Sequence, residues 1–175
     1  MLIPTVKRPN RLPPRDVNQP SGGGDMGLVY AELELVSSGD RELFRRGFIT
    51  EEAIHSVRVR ALVDSGAYQM VISEHIKEQL DLQVIEKRLV ALADESERRV
   101  EIVGPIEVHF KNRMTLTSAV VLPGLQEVLL GSIPMDDLDV VIDPKQQTLE
   151  VNPANPNIAV TIVKNVADTS PTYIA

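Results

Sequence analysis

The sequence predicts a mainly β domain, a closed or partly closed β-barrel with one or two short helices. Three observations lead there. Apolar residues of the central region alternate with polar ones at a period of two, the spacing of strands with one wet face. Aromatics make up 3% of the chain and Trp is absent, so the core must be built from Val, Leu, Ile and Ala, a β-branched and aliphatic set that leans toward strands. The apolar runs are many and short, with turn residues between them and little room for helix, as in small barrels.

The elements follow in order. Leu33 and Leu35 alternate with Glu32 and Glu34 in a first strand. Residues 40–55 read as a loop with helical turns. Val57, Val59, Ala61 and Val63 alternate with Arg58, Arg60 and Leu62 in a second strand that runs straight into Asp64. Ser73 can cap a short helix over residues 74–80, where Ile76 and Leu80 share one face. Leu89 to Ala93 and Val100 to Val103 flank the polar tip Asp94, Glu95, Ser96 and Glu97, which predicts a hairpin. Ile106, Val108 and Phe110 alternate with Glu107 and His109. A turn at Lys111-Asn112 leads into Met114 to Leu122, and Pro123-Gly124 ends that strand. Val128 to Gly131 is a short buried strand, residues 132–138 read as helical, and Val140 to Ile142 and Thr148 to Val151 close the domain around a turn at Asp143-Pro144-Lys145.

The domain thus spans residues 28–152. Residues 1–27 carry five prolines, the run Gly22-Gly23-Gly24 and the basic residues Lys7, Arg8, Arg11 and Arg15, and they predict a flexible arm. Residues 153–175 form a partly flexible C-terminal segment with one apolar run, residues 158–163, as a candidate last strand.

Composition narrows the function classes. A chain of 175 residues fits one domain with loose ends. Its net charge of -7 repels phosphate backbones, so no nucleic-acid partner is expected. The absence of cysteine excludes disulfides, thiol catalysis and thiolate metal sites. No run reaches the ~18 apolar residues of a membrane helix and none resembles a signal peptide, so the expected location is cytoplasmic with no membrane span. His55, His75 and His109 lie in separate elements without ligand spacing, so neither a metal nor another cofactor is expected. No Gly-x-Ser-x-Gly elbow occurs, and the glycine run has no Lys-Ser/Thr after it to make a phosphate loop. Glu74 or Asp94 could pair with Asp64 as glycosidase carboxylates, but no substrate groove is legible to support them.

The segment that carries chemistry is Ala61-Leu62-Val63-Asp64-Ser65-Gly66-Ala67. A carboxylate ends an apolar strand, a hydroxyl follows, and glycine lets backbone pass close by. Asp-Ser/Thr-Gly arises by chance in roughly one chain in ten of this length, so its context carries the weight. An apolar strand precedes it, Ala67 and the run Met70-Val71-Ile72 follow, a polar-tipped hairpin comes some thirty residues later, and Leu129-Leu130-Gly131 comes after that.

This order resembles the retropepsin-like aspartic proteases over about residues 28–152. The likeness is greatest to bacterial single-domain members, which often carry an Asp-Pro turn like Asp143-Pro144 after the glycine motif. The resemblance implies an acid-protease barrel that forms a C2 homodimer and hydrolyses peptide or protein substrates. By position, Asp64 is the implied catalytic aspartate. Ser65 is the implied hydroxyl bridge between loops at the dimer axis, with Gly66 and Ala67 completing the loop. Leu129, Leu130 and Gly131 match the strand behind that loop. Residues 89–103 match the flap, with Asp94, Glu95, Ser96 and Glu97 at its tip. Two departures stand out: Glu95-Ser96 replaces the glycine usual at such tips, and residues 85–109 contain no aromatic. Residues 40–55 have no counterpart in the family pattern.

The dimer follows from arithmetic of the motif. Two carboxylates are needed across a shared water, and the chain holds one Asp-Ser/Thr-Gly; a two-fold axis supplies the second. The rival expectation is a non-catalytic dimeric module of the same fold, used for binding or dimerisation.

Overall fold

A computed structural model describes residues 27–92 and 94–163. The predicted arm, except for Gly27, and residues 164–175 of the C-terminal segment lie outside the described residues. The elements are β1 (Tyr30–Ser37), α1 (Ser38–Arg45), a 3-10 turn (Glu51–Ala53), β2 (Ser56–Val63), β3 (Met70–Ile72), α2 (Glu74–Gln79), β4 (Val84–Ala91), β5 (Glu97–Phe110), β6 (Arg113–Val121), β7 (Val128–Leu130), α3 (Ser132–Leu138), β8 (Val140–Asp143) and β9 (Thr148–Val151).

Six strands close on themselves in the order β1-β2-β7-β3-β6-β5, with β1 pairing back onto β5. Closure leaves no free edge among them. β4 adds to the outer half of β5 and projects from the ring, while β8 and β9 form a separate hairpin. The predicted mainly β barrel is therefore present, with three short helices where one or two were expected. Among the described residues, no helix is long and apolar enough to cross a membrane.

Strand alternation fills the barrel. Leu33, Leu35, Ala61, Val63, Met70, Ile72, Val108 and Leu130 point inward and form one cluster with Leu80, Met135 and Leu138 from the helices. Each fully buried Leu or Ile side chain contributes about 1.5–3 kcal/mol. On the outer face of β1 and β2, Glu32 stands opposite Arg60 and Glu34 opposite Arg58, a ladder of cross-strand charge pairs. β5 changes role midway. Residues 97–103 pair with β4, and residues 106–109 pair with β1. The register against β6 shifts between Val103 and Ile106, where Gly104 adopts φ +145°, a conformation that favours glycine.

Three expectations need correction. Residues 40–55 are more ordered than a loop: Ser37 caps α1 through the Asp40 N–H at 3.4 Å, and Asp40 accepts the His55 backbone N–H at 3.0 Å and contacts its Nδ1 at 2.6 Å. The helix was hidden because it buries none of its own residues. The hairpin arm begins at Val84 rather than Leu89, since residues 84–89 are all exposed and show no alternation. Residues 158–163 form no strand; the Val160 N–H goes instead to Asp139 Oδ2 at 3.0 Å.

Candidate active site

β2 and β7 run side by side in parallel, with Val63 level with Leu130. Their common end carries the Asp64 loop. The Asp64 N–H donates to the Leu130 carbonyl at 3.0 Å, which continues the ladder one residue past β2. The chain then turns sharply. Asp64 Oδ1 accepts the Gly66 N–H at 2.9 Å, and the Asp64 carbonyl accepts the Ala67 N–H at 3.2 Å. The carboxylate is thus oriented by its own loop, through the Asx-type turn that Asp favours. It is half-buried, whereas Ser65 and Gly66 are exposed.

The loop is clamped from behind by the start of α3. The Ser132 and Ile133 N–H groups, which the helix cannot use internally, donate to the Ala67 and Tyr68 carbonyls at 2.8 and 3.0 Å. Gly131 sits between β7 and α3 against the Gln69 backbone. Leu130 is fully buried in the barrel, and Leu129 faces the other way.

In front of the loop lies a cleft of about 800 Å³. Asp64, Gly66 and Ala67 line one end. Val71, Val120, Leu122 and Leu129 make an apolar floor, and Arg88, Val90, Ala91 and Leu92 contribute a roof from the β4–β5 hairpin. Of the predicted residues, Asp64, Gly66, Ala67 and Leu129 therefore meet at one cleft, while Ser65 is exposed and does not line it. Leu130 and Gly131 support the loop without lining that space.

The hairpin tip departs slightly from expectation. The Leu92 N–H donates to the Ser96 carbonyl at 2.8 Å across the turn, and Glu97 is the first residue of β5, opposite Ala91. Asp94 accepts the Ser96 N–H at 3.0 Å and the Ser96 hydroxyl at 2.5 Å. Those two bonds hold the Asp94 carboxyl below its ordinary range. Glu95 takes φ +64°, where a glycine would rest without strain. Neither Asp94 nor Glu74 lines the cleft with Asp64. His55 and His109 are engaged with Asp40 and Glu107, and His75 is exposed on α2.

Several cleft residues were not singled out from the sequence: Tyr68, Gln69, Arg88, Val120, Leu122 and Ile133, while Val71 was named only as part of an apolar run. One signal was available. Met70, Val71 and Ile72 are consecutive and all buried, so alternation puts Met70 and Ile72 in the barrel and Val71 on the opposite face.

Residues 52–149 match the family model described as aspartyl protease. No match is found among curated proteins. Among solved structures, the chain matches the retroviral protease-like domain of Ddi1 from Leishmania major at 19% identity, covering 72% of this chain and 89% of that one, with a TM-score of 0.47. The family match takes in more than half of the chain, from the turn before β2 into β9 and with the Asp64 loop inside it, and this chain accordingly belongs to the aspartyl protease family.

Proposed function

We propose that this protein is an aspartic endopeptidase whose active site is completed in a homodimer by Asp64 of each subunit. The carrying observation is the Asp64 loop itself. A carboxylate held by the Gly66 N–H sits at the end of a roofed, apolar-floored cleft, next to an exposed Ser65. The chain contains one such loop, so a second carboxylate must come from a second chain. Exposed Ile158, Val160, Ile162 and Val163 pair with no strand among the described residues, which supports a partner copy.

In that dimer two facing carboxylates share one proton, because two adjacent negative charges are costly. The ionised member removes a proton from the water between them. The water oxygen bonds to the scissile carbonyl carbon while the protonated member hydrogen-bonds the carbonyl oxygen. The tetrahedral intermediate collapses as the C–N bond breaks and a proton passes to the departing amine. The substrate lies extended between the hairpin and the floor, as an added strand. The test is a digest of an unbiased peptide library by wild type and Asp64→Asn. Cleavage by wild type alone is expected. Equal cleavage by both would overturn the assignment of Asp64, and cleavage by neither would favour the binding-module reading.

A further inference from the structure

Residues directly opposite each other in an antiparallel pair share a face. In the hairpin, Arg88 stands opposite Val100 and Val90 opposite Arg98. Val100 is 3% exposed and belongs to a small cluster with Val71 and Val120, against which Val90 packs. That face of the hairpin is therefore the inner one, and both Arg88 and Val90 line the cleft. Among the described residues lining it, Asp64 and Arg88 are the charged ones.

Arg88 is only loosely engaged. Its ion-pair partner is Glu86, two residues earlier on the same strand face, and the two side chains are 49% and 45% exposed. An exposed pair of this kind contributes little, so exchange for another carboxylate costs little. A peptide in the cleft would exclude water from Arg88 and strengthen such a contact. A guanidinium takes a carboxylate through two parallel N–H···O bonds, which a neutral amide cannot match. Asp64 repels a carboxylate beside the scissile bond, while the Val71, Val120 and Leu129 floor suits aliphatic side chains.

We propose that Arg88 is a specificity-determining residue that selects peptides carrying an acidic side chain away from the scissile bond, with aliphatic residues against the floor. Glu86 is its internal competitor. The cleavage part rests on the endopeptidase reading above; the binding part does not. The test uses short aliphatic-centred peptides in matched Glu and Gln versions at successive positions. Wild type and Arg88→Gln are compared by kcat/KM. Binding is measured separately as Kd on Asp64→Asn and on Asp64→Asn with Arg88→Gln. One position should favour Glu about tenfold, the effect of a hydrogen-bonded charge. Arg88→Gln should erase that preference, Arg88→Glu should shift it toward Lys, and Glu86→Gln should increase it. A Glu preference that survives Arg88→Gln, or no Glu preference in a wild type that still cleaves, overturns the inference and leaves the endopeptidase reading standing. If wild type cleaves none of the peptides, the endopeptidase reading falls, and the Kd comparison alone decides: an Arg88-dependent Glu preference upholds the inference, and its absence overturns it.

Discussion

Gly131 lies flat against the backbone of Gln69: a Cβ added to it would stand 2.3 Å from the Gln69 carbonyl oxygen. The neighbouring Tyr68 carbonyl carbon would be 2.8 Å away. Both contacts are with backbone, which cannot swing aside as a side-chain tip can. Gly131→Ala must therefore push the 67–69 segment away from β7, and Asp64 with it. The expected result is a loss of about 1–3 kcal/mol in stability, the usual cost of overpacking, and a proportionally larger loss of peptide cleavage. Thermal unfolding and kcat/KM on the same sample check it. Gly66→Ala should be milder, because its Cβ would meet only the Asp64 carboxylate oxygen at 3.1 Å.

Glu95 at the hairpin tip carries φ +64°, a left-handed conformation that L side chains adopt at a cost. Its N–H is used in the turn, donating to the Leu92 carbonyl at 3.0 Å. Glu95→Gly keeps that bond and removes the steric cost. The substitution should stabilise the turn by about 1 kcal/mol, read as slower amide exchange at Leu92 and Glu95. Faster exchange there would contradict it.

The legible parts of this molecule are those fixed by local pattern. Val63 and Asp64 stand at a strand end that alternation alone predicts, and α2 lies where the Ser73 cap and the Ile76–Leu80 spacing put it. The Asp64, Ser65, Gly66 and Ala67 loop could be placed for the same reason. What escaped the sequence depends on distant packing. Glu107 reads as a solvent-facing residue by alternation, yet it is 4% exposed because α1 brings Arg41 within 3.4 Å and Arg45 within 4.0 Å of it. Arg113 is 2% exposed, bonded to the Asn155 carbonyl and 3.9 Å from Asp139, partners some 42 and 26 residues away. No local period announces such pairs. The role of Arg88 was hidden similarly, since β4 is exposed along most of its length and only the register with β5 reveals its inner face.

Asp139 ties the C-terminal segment to the barrel. Its carboxylate accepts the Asn152 amide at 2.7 Å, the Val160 N–H at 3.0 Å and the Asn155 amide at 2.8 Å, with Arg113 nearby. The Asn152 and Val160 bonds outweigh the effect of burial, and Asn155 and Arg113 add to them, so the carboxyl sits below its ordinary range. The anchor is consequently fully in place above the ordinary Asp value near pH 4 and is lost as pH falls through the depressed native value. Asp139→Ala should free residues 152–160 at neutral pH, whereas wild type should release them only in acid. Amide exchange at Val160 across a pH series, corrected for intrinsic rates, checks the prediction. A wild-type profile matching Asp139→Ala at neutral pH would refute it.

Cleavage should belong to the dimer, because each chain brings one Asp64 loop to a reaction that needs two carboxylates. In mixtures of wild type and Asp64→Asn, dimers form at random and a mixed dimer holds one acid. Activity should then fall with the square of the wild-type fraction rather than in proportion to it. Asp64→Asn should itself fold and associate, since an amide oxygen can still accept the Gly66 N–H now held at 2.9 Å and the like-charge conflict is gone. Ser65→Ala should act differently. Ser65 is exposed and has no side-chain hydrogen bond among the described residues, so loss of its hydroxyl should leave monomer stability unchanged. It should weaken association by about 1 kcal/mol per bond lost between loops. Specific activity should also drop as protein is diluted through the dissociation constant measured by sedimentation. Activity strictly proportional to wild-type fraction, or constant through a dilution that yields monomer, would show that a single Asp64 suffices.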